Sequence, residues 1–334
     1  ILISHNDADG ISSLHLIQNL LFKKHLEFDY FIYNRSVSWA EYLKGILPKK
    51  DSKKAKETTL FLTDIGSNLE ELLPIIEETP YEHYFILDHH EVESYDKIKT
   101  HPENLHFLNP TLFGFDGLDH IAGATLVYLF ARKVDPSILA QGWLTAIGIA
   151  GDSLRPMDKL ESFNREVYEE LVREQIVEDK EGLILFGAMH GTVKNGLKYS
   201  ILPFIKDLGG EEDAKIKKFL RNLNIDPNKK VINLSNAEIE KIQQEIGLEN
   251  RGHYCLLPKK SGLLSFAFEH ALLLNILCFK NIHHALSITG QKSPSRQAKS
   301  LYQEYISNLT HNLKEVLNLP KTETEKAIFI EVGD

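Results

Sequence analysis

Four polar clusters in the first half of the chain carry residue types that do chemistry. They are His5-Asn6-Asp7-Ala8-Asp9-Gly10, Asp64, Asp88-His89-His90 and Gly151-Asp152-Ser153. Carboxylates gathered at one place repel one another, because two like charges at close range cannot both ionise cheaply. Divalent cations remove that conflict. Aspartate oxygen with histidine nitrogen, and no cysteine, suits Mn²⁺ or a Mg²⁺/Mn²⁺ pair better than structural zinc. Two such ions about 3.5–4 Å apart can activate a water and stabilise the leaving oxygen of a phosphate ester. The residue types therefore point to two-metal hydrolysis of a phosphoester or phosphoanhydride.

The clusters must be brought together by the elements that precede them. Ile1–Ser4, Phe28–Tyr33, Leu60–Thr63, His83–Leu87 and Leu105–Leu108 read as short strands. Gly10–His25 and Asn68–Glu78 carry apolar residues at helical spacing. This alternation predicts a mostly parallel α/β sheet, whose sites lie outside the carboxyl ends of the strands. Three clusters follow predicted strands, and the fourth follows an apolar helix read over Ser137–Ile149. Each has a bland counterpart: Asp-x-Asp-Gly, Asp64 and Gly-Asp-Ser are all common as caps or turns. Asp88-His89-His90 is harder to assign to structure, since three groups that resist desolvation have little structural use at a strand end.

Further on, the pattern turns helical. Ala122–Lys133 and Glu161–Glu178 read as helices, and residues 213–250 as small polar ones. Leu263–Phe279 reads as a long apolar helix, His283-His284 as a turn and Ala285–Thr289 as a strand. Pro294–Leu317 then reads as an amphipathic helix and Ala327–Val332 as a last strand. The basic stretch Lys49–Lys56 is read as a solvated loop.

With 43% hydrophobic and 25% charged residues, the 334-residue chain has the balance of a folded protein rather than a disordered one. No apolar run reaches membrane-spanning length, and no basic segment precedes an apolar one as in a signal peptide. Two cysteines, Cys255 and Cys278, exclude a disulfide scaffold, and a reducing cytoplasm is the expected location. The net charge of −9 argues against a nucleic-acid partner if it is spread evenly. It is not. Residues 1–154 hold 13 Lys/Arg against 22 Asp/Glu, whereas the remainder is neutral. The excess acid lies in the half with the candidate ligands.

In this order, the clusters resemble the DHH phosphoesterase superfamily, whose hallmarks are H-x-D-x-D-G, a lone Asp after a strand, D-H-H and a late Asp after a buried helix. The resemblance implies a DHH domain with a mostly parallel sheet and flanking helices, a helical insertion, and a second, smaller α/β domain. The expected boundaries are 1–190, 191–260 and 261–334. It further implies two Mn²⁺ ions, with Mg²⁺ as the alternative, held by Asp7, Asp9, Asp64, His89 and Asp152. Asp64 would bridge the ions and His5 is a further candidate ligand. His90 would face the scissile phosphate as a contact or general acid, and Asp88 would orient the histidines.

Asp9-Gly10-Ile11-Ser12-Ser13, Asn109-Pro110, Gly123-Ala124-Thr125, the 199–204 segment before Gly209-Gly210, and Glu269 to Asn275 are similar to the archaeal RecJ-like branch that includes the GINS-associated nuclease. That branch implies a single-strand exonuclease acting on terminal phosphodiesters of DNA or RNA in replication or repair. Its expected partners are proteins such as GINS or a helicase, and no membrane. Arg35, Arg155 and Arg165 are candidate contacts to the strand. The superfamily's Gly-Gly-Gly-His-type loop does not occur in the sequence and is expected outside the chain as given. Two alternatives within the superfamily are a phosphodiesterase of short oligonucleotides or cyclic dinucleotides, and a non-catalytic replication scaffold related to the RecJ-like helicase subunit. A haloacid-dehalogenase-type phosphatase would leave Asp88-His89-His90 without a role.

Overall fold

The computed structural model describes residues 1–34, 36–46, 57–78, 81–92, 102–319, 321–323 and 328–330. Its chain forms two compact units, Ile1–Glu178 with Leu277–Gly290, and Asp179–Ile276 with Gln291–Asp334. The fold class is the expected mixed α/β, with a five-stranded parallel sheet and many helices.

In the first unit, β1 (Leu2–His5), α1 (Ala8–Lys23), β2 (Tyr30–Tyr33), α2 (Trp39–Ile46), β3 (Thr59–Thr63), α3 (Leu69–Glu78), β4 (His83–Leu87) and β5 (Leu105–Leu108) follow one another. The sheet order is β2-β1-β3-β4-β5, and all pairs are parallel. Ser4 lies opposite Thr63, and Thr63 opposite Leu87. The residues after β1, β3 and β4 therefore emerge side by side at one edge. The order reverses between β1 and β3, the crevice where ligands bind in open α/β sheets.

One face of the sheet buries Ile3, Leu60, Leu62, Tyr84 and Ile86 against Trp39, Leu43, Leu69, Leu72 and Ile76 of α2 and α3. Helix α1, which buries ten of its residues, packs against α4 (Gly123–Val134) and α5 (Trp143–Ser153). The segment read as one helix over Ser137–Ile149 is a 3₁₀ turn, Pro136–Gln141, followed by α5. Asp152 thus sits in the last turn of α5 rather than after a helix end. Helix α6 (Ser162–Arg173) completes this stretch.

The second unit holds β6 (Glu178–Leu183, whose first residue belongs to the first unit), α7 (Val193–Tyr199), α8 (Asp213–Asn222), α9 (Asn236–Ile246) and β7 (Arg251–Leu256). Strands β6 and β7 form a two-stranded sheet that the polar sequences conceal. Helix α10 (Ala267–Lys280) follows, its last turn counted with the first unit. Ala285–Thr289, read as a strand, lies instead in and just after helix α11 (Ile282–Ile288). The Asn281 side chain accepts from the His284 N–H and caps this helix, and Ala285 and Ile288 form its buried side. His283-His284 is helical for the same reason. Helix α12 (Arg296–Asn318) precedes the antiparallel pair β8 (Lys321–Glu323) and β9 (Ile328–Ile330). Lys49–Lys56 and Arg35 lie outside the described residues. Among the described residues, no helix is long and apolar enough to cross a membrane.

Glu269 of α10 is fully buried. Its Oε1 accepts from the backbone N–H of Gly187 (3.2 Å) and Met189 (3.0 Å), while its buried Oε2 accepts no hydrogen bond. Burial raises this carboxyl to about 7. A folded-state value above the unfolded one gives stability that is present at low pH and lost as pH rises through about 7. Wild-type stability relative to Glu269→Gln should therefore fall by up to about 3 kcal/mol between pH 5 and 8. Chemical denaturation across that range checks this, and a pH-independent difference would refute it.

Candidate metal centre

Asp7 ends the turn after β1 and caps α1, its Oδ1 accepting from the Gly10 N–H at 2.8 Å. Its Oδ2 contacts His5 Nδ1. The capping role and the polar cluster coexist in one side chain. Burial would raise the Asp7 carboxyl, but the His5 hydrogen bond and charge and the Gly10 N–H hold it below the usual range.

Asp9, one turn into α1, is buried and gripped from across the fold. The N–H of Gly123 donates to its Oδ2 at 2.6 Å, and that of Ala124 to its Oδ1 at 2.9 Å. These are orphan donors of the α4 N-terminus, which favours an anion. Gly123 is required by close approach: a Cβ there would stand 2.7 Å from Asp64 Oδ1.

Asp64 follows β3 with a φ of 61°, a left-handed conformation uncommon outside glycine, asparagine and aspartate. Beneath it, Ser4 Oγ donates to the carbonyls of Gly10 and Thr63 and accepts from the Thr63 hydroxyl, tying β1 to β3. The Asp64 carboxylate has its Oδ1 3.0 Å from His89 Nε2 and its Oδ2 3.8 Å from His5 Nδ1. Among the described residues, three overlapping groups of potential ligands meet here: Asp64-Asp88-His89-His90, His5-Asp7-Asp64 and Asp9-His89-Asp152. Asp152 Oδ2 is 3.9 Å from His89 Nδ1. Among the described residues, neither Asp64 Oδ2 nor Asp152 Oδ2 accepts a hydrogen bond, although both atoms are buried.

His89 is fixed through its other nitrogen, since Nδ1 lies 2.6 Å from the Gly117 carbonyl. A carbonyl only accepts, so Nδ1 carries a proton there. In the neutral ring, Nε2 is then a lone pair facing the carboxylates of Asp64 (3.0 Å) and Asp9 (3.7 Å). Acceptors pointing at each other repel unless a proton or a cation lies between them. Without a metal, the proton takes that place: burial disfavours the charged ring, yet Asp64, Asp9 and Asp152 raise His89 well above its ordinary value. Burial and mutual repulsion push Asp9 and Asp64 upward, and Asp152 up to about 7. Costly like charges, unpartnered oxygens and a converging imidazole fit a divalent-cation site.

Asp88 is built differently. Its Oδ2 accepts from Ser67 N–H (2.7 Å) and Ser67 Oγ (2.6 Å), and its Oδ1 from His89 N–H (2.8 Å) and His90 Nδ1 (2.7 Å). Burial opposes ionisation, but His90 and these donors hold the carboxyl well below the usual range. Asn109 Nδ2 donates to Ser67 Oγ and to the His90 carbonyl, both at 2.8 Å. His90 is left 40% exposed, with its ring 6.2 Å from that of His5.

All eight sequence-derived site residues thus gather at one sheet edge, with Asp88 set behind the histidines. Ser67 and Gly117 were not legible as members. Ser67 acts by closing on a carboxylate 21 positions away, and Gly117 by a backbone carbonyl that no side-chain motif announces. Arg155 contacts Asp119, and Arg165 Nε donates to the Leu160 carbonyl, so both arginines are engaged within the protein.

The chain superposes on CDC45 from Entamoeba histolytica with a TM-score of 0.70 and 15% identity, covering all of this chain and 73% of that one. This chain therefore shares the fold of that protein. A crystal structure of the exonuclease RecJ bound to manganese matches with a TM-score of 0.44 and 15% identity, over 94% of this chain and 62% of that one. In sequence, 238 residues are 31% identical to an uncharacterised protein of Methanocaldococcus jannaschii. The match takes in 68% of this chain and 49% of the relative, so the chain spans about half the length of the curated relative it matches. No family model matches the chain.

Two consequences of this acidic cluster can be measured as stability. Asparagine at position 64 keeps the shape and cannot ionise. Metal-free Asp64→Asn should become progressively more stable than metal-free wild type as pH rises, by about 1 kcal/mol or ~2–4 °C in Tm at about pH 8. Mn²⁺ should raise the Tm of wild type and leave that of the variant unchanged. A variant that is less stable than metal-free wild type, yet still shifted by Mn²⁺, would contradict both. Ser67→Ala removes one donor from the buried Asp88 carboxylate and should cost about 1–3 kcal/mol in urea unfolding.

Proposed function

We propose that the chain is a Mn²⁺-dependent exonuclease of the RecJ-like type, hydrolysing terminal phosphodiesters of single-stranded DNA or RNA. The observation that carries this reading is the convergence of His89 Nε2 on the Asp9 and Asp64 carboxylates, with unpartnered oxygens of Asp64 and Asp152 beside it. Asp7, Asp9, Asp64, His89 and Asp152, with His5, would hold two divalent cations. When bound, such a pair supplies a water nucleophile at neutral pH and neutralises charge developing on the phosphate.

The chain's own residues supply the rest. The Asp88 carboxylate accepts from His90 Nδ1 and fixes the ring, leaving Nε2 as the candidate contact to a phosphate oxygen or leaving group. The Gly117 carbonyl keeps His89 Nε2 turned into the cluster. The Gly123 and Ala124 N–H groups at the α4 N-terminus offset part of the burial and repulsion that disfavour the charge on Asp9. Replication or repair proteins, such as GINS or a helicase, are the partners that suit this role.

A scaffold reading draws on the fold likeness to CDC45. The two readings part on one assay. Purified protein with Mn²⁺ should shorten end-labelled single-stranded DNA or RNA, lose that activity in chelator, and lose it by more than about 100-fold in Asp64→Ala. A folded wild type that leaves every oligonucleotide intact, with Mn²⁺ or Mg²⁺, decides for the scaffold. Cleavage confined to pyrophosphate or cyclic dinucleotides decides for a small-molecule phosphodiesterase.

A further inference from the structure

Beside the acidic cluster, the first unit contains a groove of about 720 Å³ in which the proposed ligands take no part. Asn6, which stands between His5 and Asp7, lines it and donates to the Cys278 carbonyl at 3.4 Å. The groove is therefore continuous with the turn that carries two candidate ligands. Tyr30 of the edge strand β2 and Phe279 of α10 also line it, and they are 46% and 86% exposed. A phenylalanine left almost wholly in water, facing a groove with a second open aromatic, is a surface that waits for a flat partner.

The charge of the groove points the same way. Lys280 and His283 line it, and among the described residues no aspartate or glutamate does. A wall that spares carboxylates and offers a cation, aromatic faces and asparagine amides suits a nucleotide strand: phosphate on lysine, base on ring. An extended peptide could instead pair with the open edge of β2. Continuity with the metal motif favours the molecule on which that motif would act.

We propose that Tyr30 and Phe279 form a base-stacking subsite for a single strand whose phosphate lies at the Asp7–Asp64–His89 cluster, and that Lys280 contacts its backbone. This rests on the nuclease reading and adds the residues that grip the strand. Stacking accepts every base, so the subsite confers affinity without sequence preference.

Fluorescein-labelled dT12 and the full chain, with Ca²⁺ in place of Mn²⁺, provide the test by anisotropy. Phe279→Ala should weaken binding about tenfold, and Phe279→Trp should restore it. The exposed position keeps the Tm of both at the wild-type value. Lys280→Ala should lower the slope of log affinity against log salt by about 0.7. With Mn²⁺, the KM for degradation of dT12 should rise in Phe279→Ala by the same factor as Kd. If Phe279→Ala and Tyr30→Ala bind like wild type while wild type degrades dT12, the subsite is overturned and the nuclease reading stands. Binding that is sensitive to Phe279 but never followed by cleavage upholds the subsite and overturns the nuclease reading. A wild type that neither binds nor cleaves overturns both. Crosslinks from 5-iodouridine oligonucleotides that map only outside the groove also overturn the subsite.

Discussion

The repulsion among Asp9, Asp64 and Asp152 around His89 is the constraint that organises the first unit. Three carboxylates in a low-dielectric crevice disfavour one another's charge, and burial adds to the penalty. A fold that keeps them must supply rigid positions and local donors. Parallel strands supply the positions, because β1, β3 and β4 deliver their following residues to one edge in register. Helix N-termini supply the donors: Gly10 N–H to Asp7, and Gly123 and Ala124 N–H to Asp9. The close packing of α4 on this edge, with a glycine where any side chain would strike Asp64, follows from the same need.

Asp64 and Asp88 are two equally buried carboxylates with opposite fates. Asp88 collects donors on both oxygens and is held strongly ionised. Asp64 has His89 on one oxygen and no hydrogen-bond donor on the other, and it is pushed upward. The difference separates a group whose capacity is spent on orienting its neighbours from one whose capacity is still open. Burial and charge alone do not make that distinction. The count of donors does.

The site was legible in the sequence because its residues follow apolar runs whose period gives strands, and strand ends in an α/β sheet share one edge. The same logic explains what was not legible. Asp152 lies in the last turn of α5 because the helix runs past the apolar stretch to Ser153, and its start is set by Gly142, which follows a 3₁₀ turn. Ala285–Thr289 has apolar and β-branched residues that read as a strand, but the Asn281 cap and the buried Ala285–Ile288 side make a helix. Strands β6 and β7 carry mixed polar residues, and only their partners reveal them. Ser67 and Gly117 contribute contacts whose partners are set by tertiary folding. No local pattern encodes such contacts.

Likeness of fold to CDC45 leaves catalysis open, because one fold can carry an active site or a surface. The residues narrow the choice. A scaffold needs a stable sheet edge, which apolar or neutral polar side chains would give without mutual repulsion. This chain instead places three destabilised carboxylates about one histidine and fixes that histidine's orientation from behind. It also keeps Asp88 ionised against His90, at the open side of the cluster. For a sheet edge alone, the three crowded carboxylates are an energetic cost. Together they become favourable when cations occupy the crevice, because the same charges that repel one another then coordinate.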